Sequence, residues 1–347
     1  MRAVLFERFG GPLGIVDLPD PTPPPDGVVL RVHANGVCRS DWHAWQGHDP
    51  DIVVPHVPGH ELAGEIVAVG PDVRRWKVGA RVTVPFVLGC GECPRCRAGQ
   101  QQVCDQQYQP GFTGWGSMAE YVALPRADLN LVALPDALGY GDAASLGCRF
   151  ATSFRAVAHQ ARVAKGQWLA VHGCGGVGLS AIMIARALGI RTIAVDVDDE
   201  ALRLATECGA EHVVDARTAD AAAAVVEITG GGAHSSIDAV GSTATCLASI
   251  RSVRTQGRHV QVGLMVGDHS LPGIPMSLLH GREIELTGSH GMAAHAYPRM
   301  LAMVAAGTLQ PGRLVTSTLT LTEGVHHLER MHEFPGAGMA VVTDMAH

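Results

Sequence analysis

The sequence predicts an α/β protein of two domains: a β-rich, barrel-like one, followed by a doubly wound parallel sheet. Three observations predict it. The first 150 or so residues carry short β-branched runs separated by Gly and Pro, such as Gly27 to Val32 and Glu65 to Gly70. From about Lys165 the pattern changes to strand, glycine turn and helix in repetition, the signature of parallel units. At 347 residues and 47% hydrophobic, the chain is long enough for two ordinary domains, each with its own core.

In chain order, the opening MRAVLFERFG is short, broken by charge and followed by Gly11 and Pro12, so it reads as a first strand and not a signal peptide. In the second half, Trp168 to Val171 reads as a strand, Gly178 to Leu188 as a helix, Arg191 to Val195 as the next strand and Glu200 to Glu207 as its helix. Ser236 to Val240, Arg258 to Val262 and Glu283 to Thr287 read as later strands, with a helix near Thr243 to Ser252 between the first two. After His290 a helix at Tyr297 to Ala306 leads into a mixed tail. There is no internal repeat.

Composition excludes several classes. No apolar run approaches the length needed to span a bilayer. A net charge of −7 without a dense Lys/Arg block argues against nucleic acid and anionic membrane surfaces as partners. Nine cysteines, an odd number, without a secretory signal, point to a reducing cytoplasm where thiols serve metals.

Two motifs carry chemistry. Cys90, Cys93, Cys96 and Cys104 have the spacing of a tetrahedral thiolate cage for zinc. With all four positions filled such a cage leaves no place for water or substrate, so its role is structural; two disulfides or an iron–sulfur cluster are the alternatives. The second motif is Gly173-Cys-Gly175-Gly176-Val177-Gly178, directly after a strand and opening a helix. Glycines there let the backbone approach a pyrophosphate, and the helix N-terminus supplies unpaired N–H groups and a partial positive charge. Asp196 follows at the end of the second strand, where a carboxylate accepts from the ribose hydroxyls of a dinucleotide. Because Val197, Asp198 and Asp199 follow it and no Arg or Lys does, the site should prefer NAD to NADP.

Three further potential zinc ligands lie outside the four-cysteine lobe: Cys38, His60 and Cys148. Singly, each reads as an ordinary buried residue. Together with the lobe and the glycine motif they make the chain resemble the zinc-dependent alcohol dehydrogenases of the medium-chain dehydrogenase/reductase family, over essentially its whole length. The resemblance implies a GroES-like catalytic domain at residues 1–150, completed by 291–347, and a Rossmann NAD-binding domain at 151–290. It implies Cys38, His60 and Cys148 as catalytic zinc ligands and the four-cysteine lobe as a structural zinc site, two zinc ions per chain. Glu61 is similar to the family's acid beside the metal, and Asp41 to the carboxylate that orients the ligand histidine. Ser40 resembles the hydroxyl that hydrogen-bonds the substrate oxygen, and His43 the residue that passes the proton to solvent. Arg39 resembles a cation on the cofactor pyrophosphate, with a solvent salt bridge as its alternative. Thr152 resembles a residue beside the nicotinamide, with a core-facing helix residue, its hydroxyl bonded back to the helix, as the alternative.

The implied reaction is hydride transfer between a primary or secondary alcohol, or the matching aldehyde or ketone, and NAD. A polyol dehydrogenase is the nearest rival, disfavoured because those enzymes commonly carry a carboxylate where Cys148 stands; a non-catalytic, nucleotide-binding redox sensor is a rival of another class. The chain departs from the family where Gly338-Met339 replaces a Gly-Arg step that adds a second pyrophosphate cation. Trp45, Phe86, Phe112 and Trp115 are candidates for an apolar substrate pocket. Cys174, Cys208 and Cys246 read as buried small residues. A homodimer or homotetramer is expected, built on an edge strand near Arg258 to Val262 or Glu283 to Thr287.

Overall fold

Val28–Val37 and Glu61–Val69 are the longest strands of the N-terminal half, and most of their residues are buried. A computed structural model describes residues 1–333 and 336–347, which form two units: 1–151 with 291–333 and 339–347, and 152–290 with 336–338. In the first, a seven-stranded sheet runs Val315–Thr320, Met339–Asp344, Val28–Val37, Glu61–Val69, Arg81–Thr83, Val132–Ala133, with Tyr121–Leu124 paired onto the start of Val28–Val37. Its core gathers Phe6, Leu30, Leu62, Ile66, Val82, Leu88, Met118 and Leu124. Full burial of each such side chain is worth roughly 1.5–3 kcal/mol.

Register positions the chemistry. The antiparallel pair sets Gly36 against Glu61. The chain leaving one strand at Cys38 and the chain entering the other at His60 therefore meet at the same end of the sheet.

The second unit is a six-stranded parallel sheet in the order His212–Asp215, Arg191–Asp196, Trp168–His172, Ala233–Asp238, Val253–Gln261, Glu285–Gly288. The order reverses at Trp168–His172, the position at which doubly wound sheets open a ligand crevice. His172 pairs with Val195, so the glycine turn after the first strand and Asp196 at the end of the second lie side by side. Helices Gly176–Ala187 and Asp199–Cys208 follow these strands. Asp198 caps the second, accepting from the Ala201 N–H at 2.8 Å, and Gly209 ends it in the left-handed region at φ +111°. Elements not expected include the strand His212–Asp215 and the helices Ala221–Thr229 and Met276–Arg282. The edge expectation divides: Arg258 to Gln261 is interior, paired on both sides, whereas Glu285–Gly288 is the edge and is largely exposed rather than apolar. No helix among the described residues is long and apolar enough to cross a membrane.

Candidate functional site

Cys38 is the N-cap of helix Arg39–Trp45, and Asp41, three residues on, turns back to accept the Cys38 N–H at 3.1 Å through Oδ2. Oδ1 of the same carboxylate accepts from the Gly59 N–H at 3.1 Å and from Nδ1 of His60 at 2.7 Å. One buried carboxylate thus fixes the backbone at Cys38 and the ring of His60. Gly59 stands at φ +108°, where a Cβ would sit 2.5 Å from the Met118 nitrogen, so the turn delivering His60 requires glycine. Cys148 follows a short 3-10 turn, Ser145–Gly147. That turn is pinned by the Phe86 N–H donating to the Gly147 carbonyl at 2.9 Å and by the buried Tyr297 hydroxyl donating to the Leu146 carbonyl at 2.9 Å.

The donor atoms of Cys38, His60, Cys148 and Glu61 all lie within 4.8 Å of one another. With Nδ1 donating to Asp41, Nε2 of His60 is left facing two cysteine sulfurs, buried and with no hydrogen-bond partner among the described residues. A ring nitrogen so placed fits a soft divalent metal, which would displace its proton, better than any hydrogen-bonding role. The Cys38 thiol is held well below its ordinary range by the Cys148 thiol, with His60 and Arg149 adding to the effect. Burial pulls His60 down, but Asp41 and Cys38 outweigh it and hold the ring well above its usual value.

Glu61 is fully buried and faces Arg149, which donates to it through the backbone N–H, Nε and Nη2. Burial raises its carboxyl pKa and the Arg149 guanidinium opposes the rise. Both carboxylate oxygens are therefore engaged by Arg149, and of the four groups that could hold a metal ion Cys38, His60 and Cys148 are the ones outside that ion pair. Phe86 and Phe112 pack on the His60 ring, with centroids 6.1 and 5.1 Å away. Trp45 does not join them: it is buried in the core with its indole N–H on the Gly11 carbonyl. Trp115 is exposed and donates to the Pro55 carbonyl.

Cys90, Cys93, Cys96 and Cys104 also converge within 4.8 Å. The Cys90–Cys96 and Cys93–Cys104 sulfurs are 3.9 and 3.8 Å apart, too far for disulfides. A tetrahedral site with metal–sulfur bonds of about 2.3 Å has edges of about 3.8 Å, which these separations fit. Backbone N–H groups of Glu92 and Cys93 aim at the Cys90 sulfur, and those of Cys93 and Glu92 pull its pKa down to about 6.

In the second unit, Gly173 adopts φ +93°, and a Cβ on Gly178 would fall 1.8 Å from the Gly173 carbonyl oxygen. Gly178 is what lets helix Gly176–Ala187 press against the strand end, while a Cβ on Gly175, its N-cap, would meet nothing within 4 Å. The Val177 carbonyl accepts from the Ser153 hydroxyl at 2.7 Å, anchoring the first turn. Asp196 accepts from the N–H groups of Cys174, Val197 and Asp198. Local sequence missed one cation near it: Arg217 sits on Asp215, which pairs with Asp196 across the sheet, and also reaches Asp199. Those two carboxylates occupy it. Thr152 is buried, and its hydroxyl has no partner among the described residues, so the back-bonded alternative does not hold. Arg39 donates to the Met331 carbonyl at 2.8 Å and lies over Trp42. Met339 is fully buried. Ser40 and His43 are half-buried on the helix that Cys38 caps. Burial, Arg39 and His48 push the His43 ring down to about 4.

Two family models match: the Alcohol dehydrogenase GroES-like domain over residues 24–136 and the Zinc-binding dehydrogenase over residues 176–306. An alcohol dehydrogenase of Geobacillus stearothermophilus is 37% identical over 78% of this chain and 80% of its own length. An NAD-dependent alcohol dehydrogenase of Sulfurisphaera tokodaii is 33% identical over 99% of this chain and all of its own. The solved alcohol dehydrogenase from Thermus sp. ATN1 superposes with a TM-score of 0.89 at 31% identity, covering 99% of this chain and 100% of that one. The chain belongs to the zinc-type alcohol dehydrogenases of the medium-chain dehydrogenase/reductase family.

Proposed function

We propose that the protein transfers hydride between a primary or secondary alcohol, or the matching carbonyl compound, and NAD, with Cys38, His60 and Cys148 as the catalytic metal ligands. The single observation that carries the site assignment is the buried, unpartnered Nε2 of His60, aimed among two cysteine sulfurs while Asp41 holds the other side of the ring. Zinc bound there would act as a Lewis acid toward the alcohol oxygen, and NAD would accept the hydride. The remaining work belongs to side chains. Asp41 keeps His60 in the tautomer that leaves Nε2 free. Ser40 offers a hydroxyl to the substrate oxygen and His43 takes the proton onward. Phe86 and Phe112 cover the His60 ring and keep water from it. Gly173, Gly175, Gly176, Val177 and Gly178 form the backbone cradle for the pyrophosphate, with Arg39 as its cation, Asp196 takes the adenosine ribose, and Thr152 stands by the nicotinamide. Met339, at the step where the family resemblance implies a second pyrophosphate cation, is buried, so Arg39 would serve the pyrophosphate without it.

The four-cysteine lobe holds a second, structural zinc, for a total of two per chain. The unpaired edge at Glu285–Gly288 supports a homodimer, or a homotetramer built from it, through strand-to-strand pairing. Nine thiols with no disulfide suit a cytoplasmic location. Screening a panel of alcohols and carbonyls by NADH absorbance tests the activity: turnover with primary or secondary alcohols is expected, and turnover confined to polyols, or none with any alcohol on zinc-loaded protein, overturns the reading.

A further inference from the structure

We propose that His48 is the outer station of a two-imidazole proton path, taking the proton that His43 receives during alcohol oxidation and passing it to water. The inference rests on the reading of His43 as the residue that exchanges the substrate's proton. Nothing in local sequence pattern singles out His48. The way its helix ends does.

Helix Arg39–Trp45 is closed by Gln46 and then by Gly47 at φ +76°. The Gly47 N–H donates to the Ala44 carbonyl at 3.1 Å, and the His48 N–H reaches back to the His43 carbonyl at 3.0 Å. This pair of bonds folds the second residue past the cap onto the third from the helix end, a contact that is frequently apolar where helices end this way. Here both residues are histidines, and their Nδ1 atoms are 2.9 Å apart. Both rings also stand edge-on against Trp42, with centroids 5.1 and 5.7 Å away. Gly47 is required by its positive φ, and a Cβ there would lie 2.9 Å from the Phe9 ring. The histidine pair therefore follows from backbone geometry rather than from two free side chains meeting at the surface.

A hydrogen bond between two Nδ1 atoms holds one proton, so the rings occupy opposite tautomers. When His43 carries it, a proton arriving at His43 Nε2 lets the Nδ1 proton cross to His48 Nδ1, and His48 sheds its Nε2 proton to water. One proton enters and one leaves, and only N–H bonds change. Carbonyl reduction starts from the opposite tautomer pair and runs the path inward, and exchange of both rings with water between turnovers restores the starting pair. The direction is set by solvation. His43 is half-buried and opposed as a cation by burial, Arg39 and His48, with only the Cys38 sulfur favouring it, whereas His48 is exposed and water can solvate its charge.

The test is single-turnover alcohol oxidation by the zinc-loaded, NAD-saturated enzyme in weak buffer, with a pH indicator following proton release. His48→Ala and His48→Gln should slow release at least about five-fold, leave KM for NAD unchanged, and recover when imidazole buffer is added. In 15N-histidine-labelled protein without substrate, the His43–His48 pair should contribute one Nδ1-protonated ring in the wild type, beside those such as His60 whose Nδ1 donates elsewhere, and His48→Ala should remove that one signal while leaving His43 in the ordinary Nε2-protonated tautomer. Wild-type release rates in both His48 variants, with slow release in His43→Ala, would overturn this inference and leave the His43 reading standing. An unaltered pH profile in His43→Ala would overturn both.

Discussion

Replacing Arg149 with methionine isolates the contact that ties the two halves of the proposed metal site. Arg149 and Glu61 lie 88 positions apart in sequence, one following Cys148 and the other following His60. Their side chains are 8% and 0% exposed, and the guanidinium meets both carboxylate oxygens. Removing the cation leaves a carboxylate in a dry site held only by the Arg149 backbone N–H. Breaking a buried pair on one side costs about 3–5 kcal/mol, whereas replacing both partners by neutral groups is close to neutral. For a unit of about 200 residues that is a fall in melting temperature of roughly 6–20 °C. The penalty also depends on pH. Burial already raises Glu61, and without the guanidinium its folded pKa stands further above the unfolded value, so the penalty is full above the folded pKa and shrinks as the carboxyl takes a proton on acidification. Thermal melts of wild type, Arg149→Met and Glu61→Gln/Arg149→Met at pH 5 and pH 8 read this directly. The single variant should be the least stable, most clearly at pH 8, and the double variant should recover most of the loss. A single variant within about 1 kcal/mol of wild type, or a double variant no better than the single, would refute the reasoning.

Three other predictions concern the nucleotide unit. Asp196→Ala should weaken NAD and shift preference toward NADP, since it removes the negative charge nearest the ribose, with Arg217 still neutralised by Asp199 and Asp215; comparing kcat/KM for both cofactors checks it. His172 is buried and pushed down to about 3 by burial and His259, below the free value of 6.5, so the neutral ring stabilises the fold above pH 6.5 and that stability is lost as pH falls. Between pH 6.5 and 4.5 urea unfolding should show about 2–3 kcal/mol of loss that is absent in His172→Gln. Gly178→Ala forces a Cβ into the Gly173 carbonyl and should destabilise the unit by about 3 kcal/mol or more, while Gly175→Ala should leave unfolding within about 0.5 kcal/mol of wild type yet lower NADH affinity measured by fluorescence.

Much of this architecture is legible in local sequence because its signals are local. Four cysteines within fifteen residues and a glycine string between a strand and a helix carry their geometry in their spacing. The strand His212–Asp215 and the helix Ala221–Thr229 escape such reading, the first being four residues long with only Val214 buried, the second a run of alanines and valines with no clear polar face. Contacts across the chain are also invisible to spacing: Arg149 on Glu61, Tyr297 on the Cys148 turn and Arg217 beside Asp196 exist only once the sheets are assembled. Aromatic residues mislead for a related reason. Trp45 and Phe112 both look like pocket linings, yet the indole N–H of Trp45 finds the Gly11 carbonyl inside the core while Phe112 reaches the ring of His60.

The central claim, an open three-ligand metal site distinct from a closed four-cysteine one, is tested most directly by zinc stoichiometry of wild type and Cys148→Ala measured alongside NAD-linked alcohol oxidation. Two zinc ions per chain in the wild type, falling to one with activity lost and the fold retained, is the predicted result. A Cys148→Ala protein that keeps both metals and near wild-type turnover would contradict it.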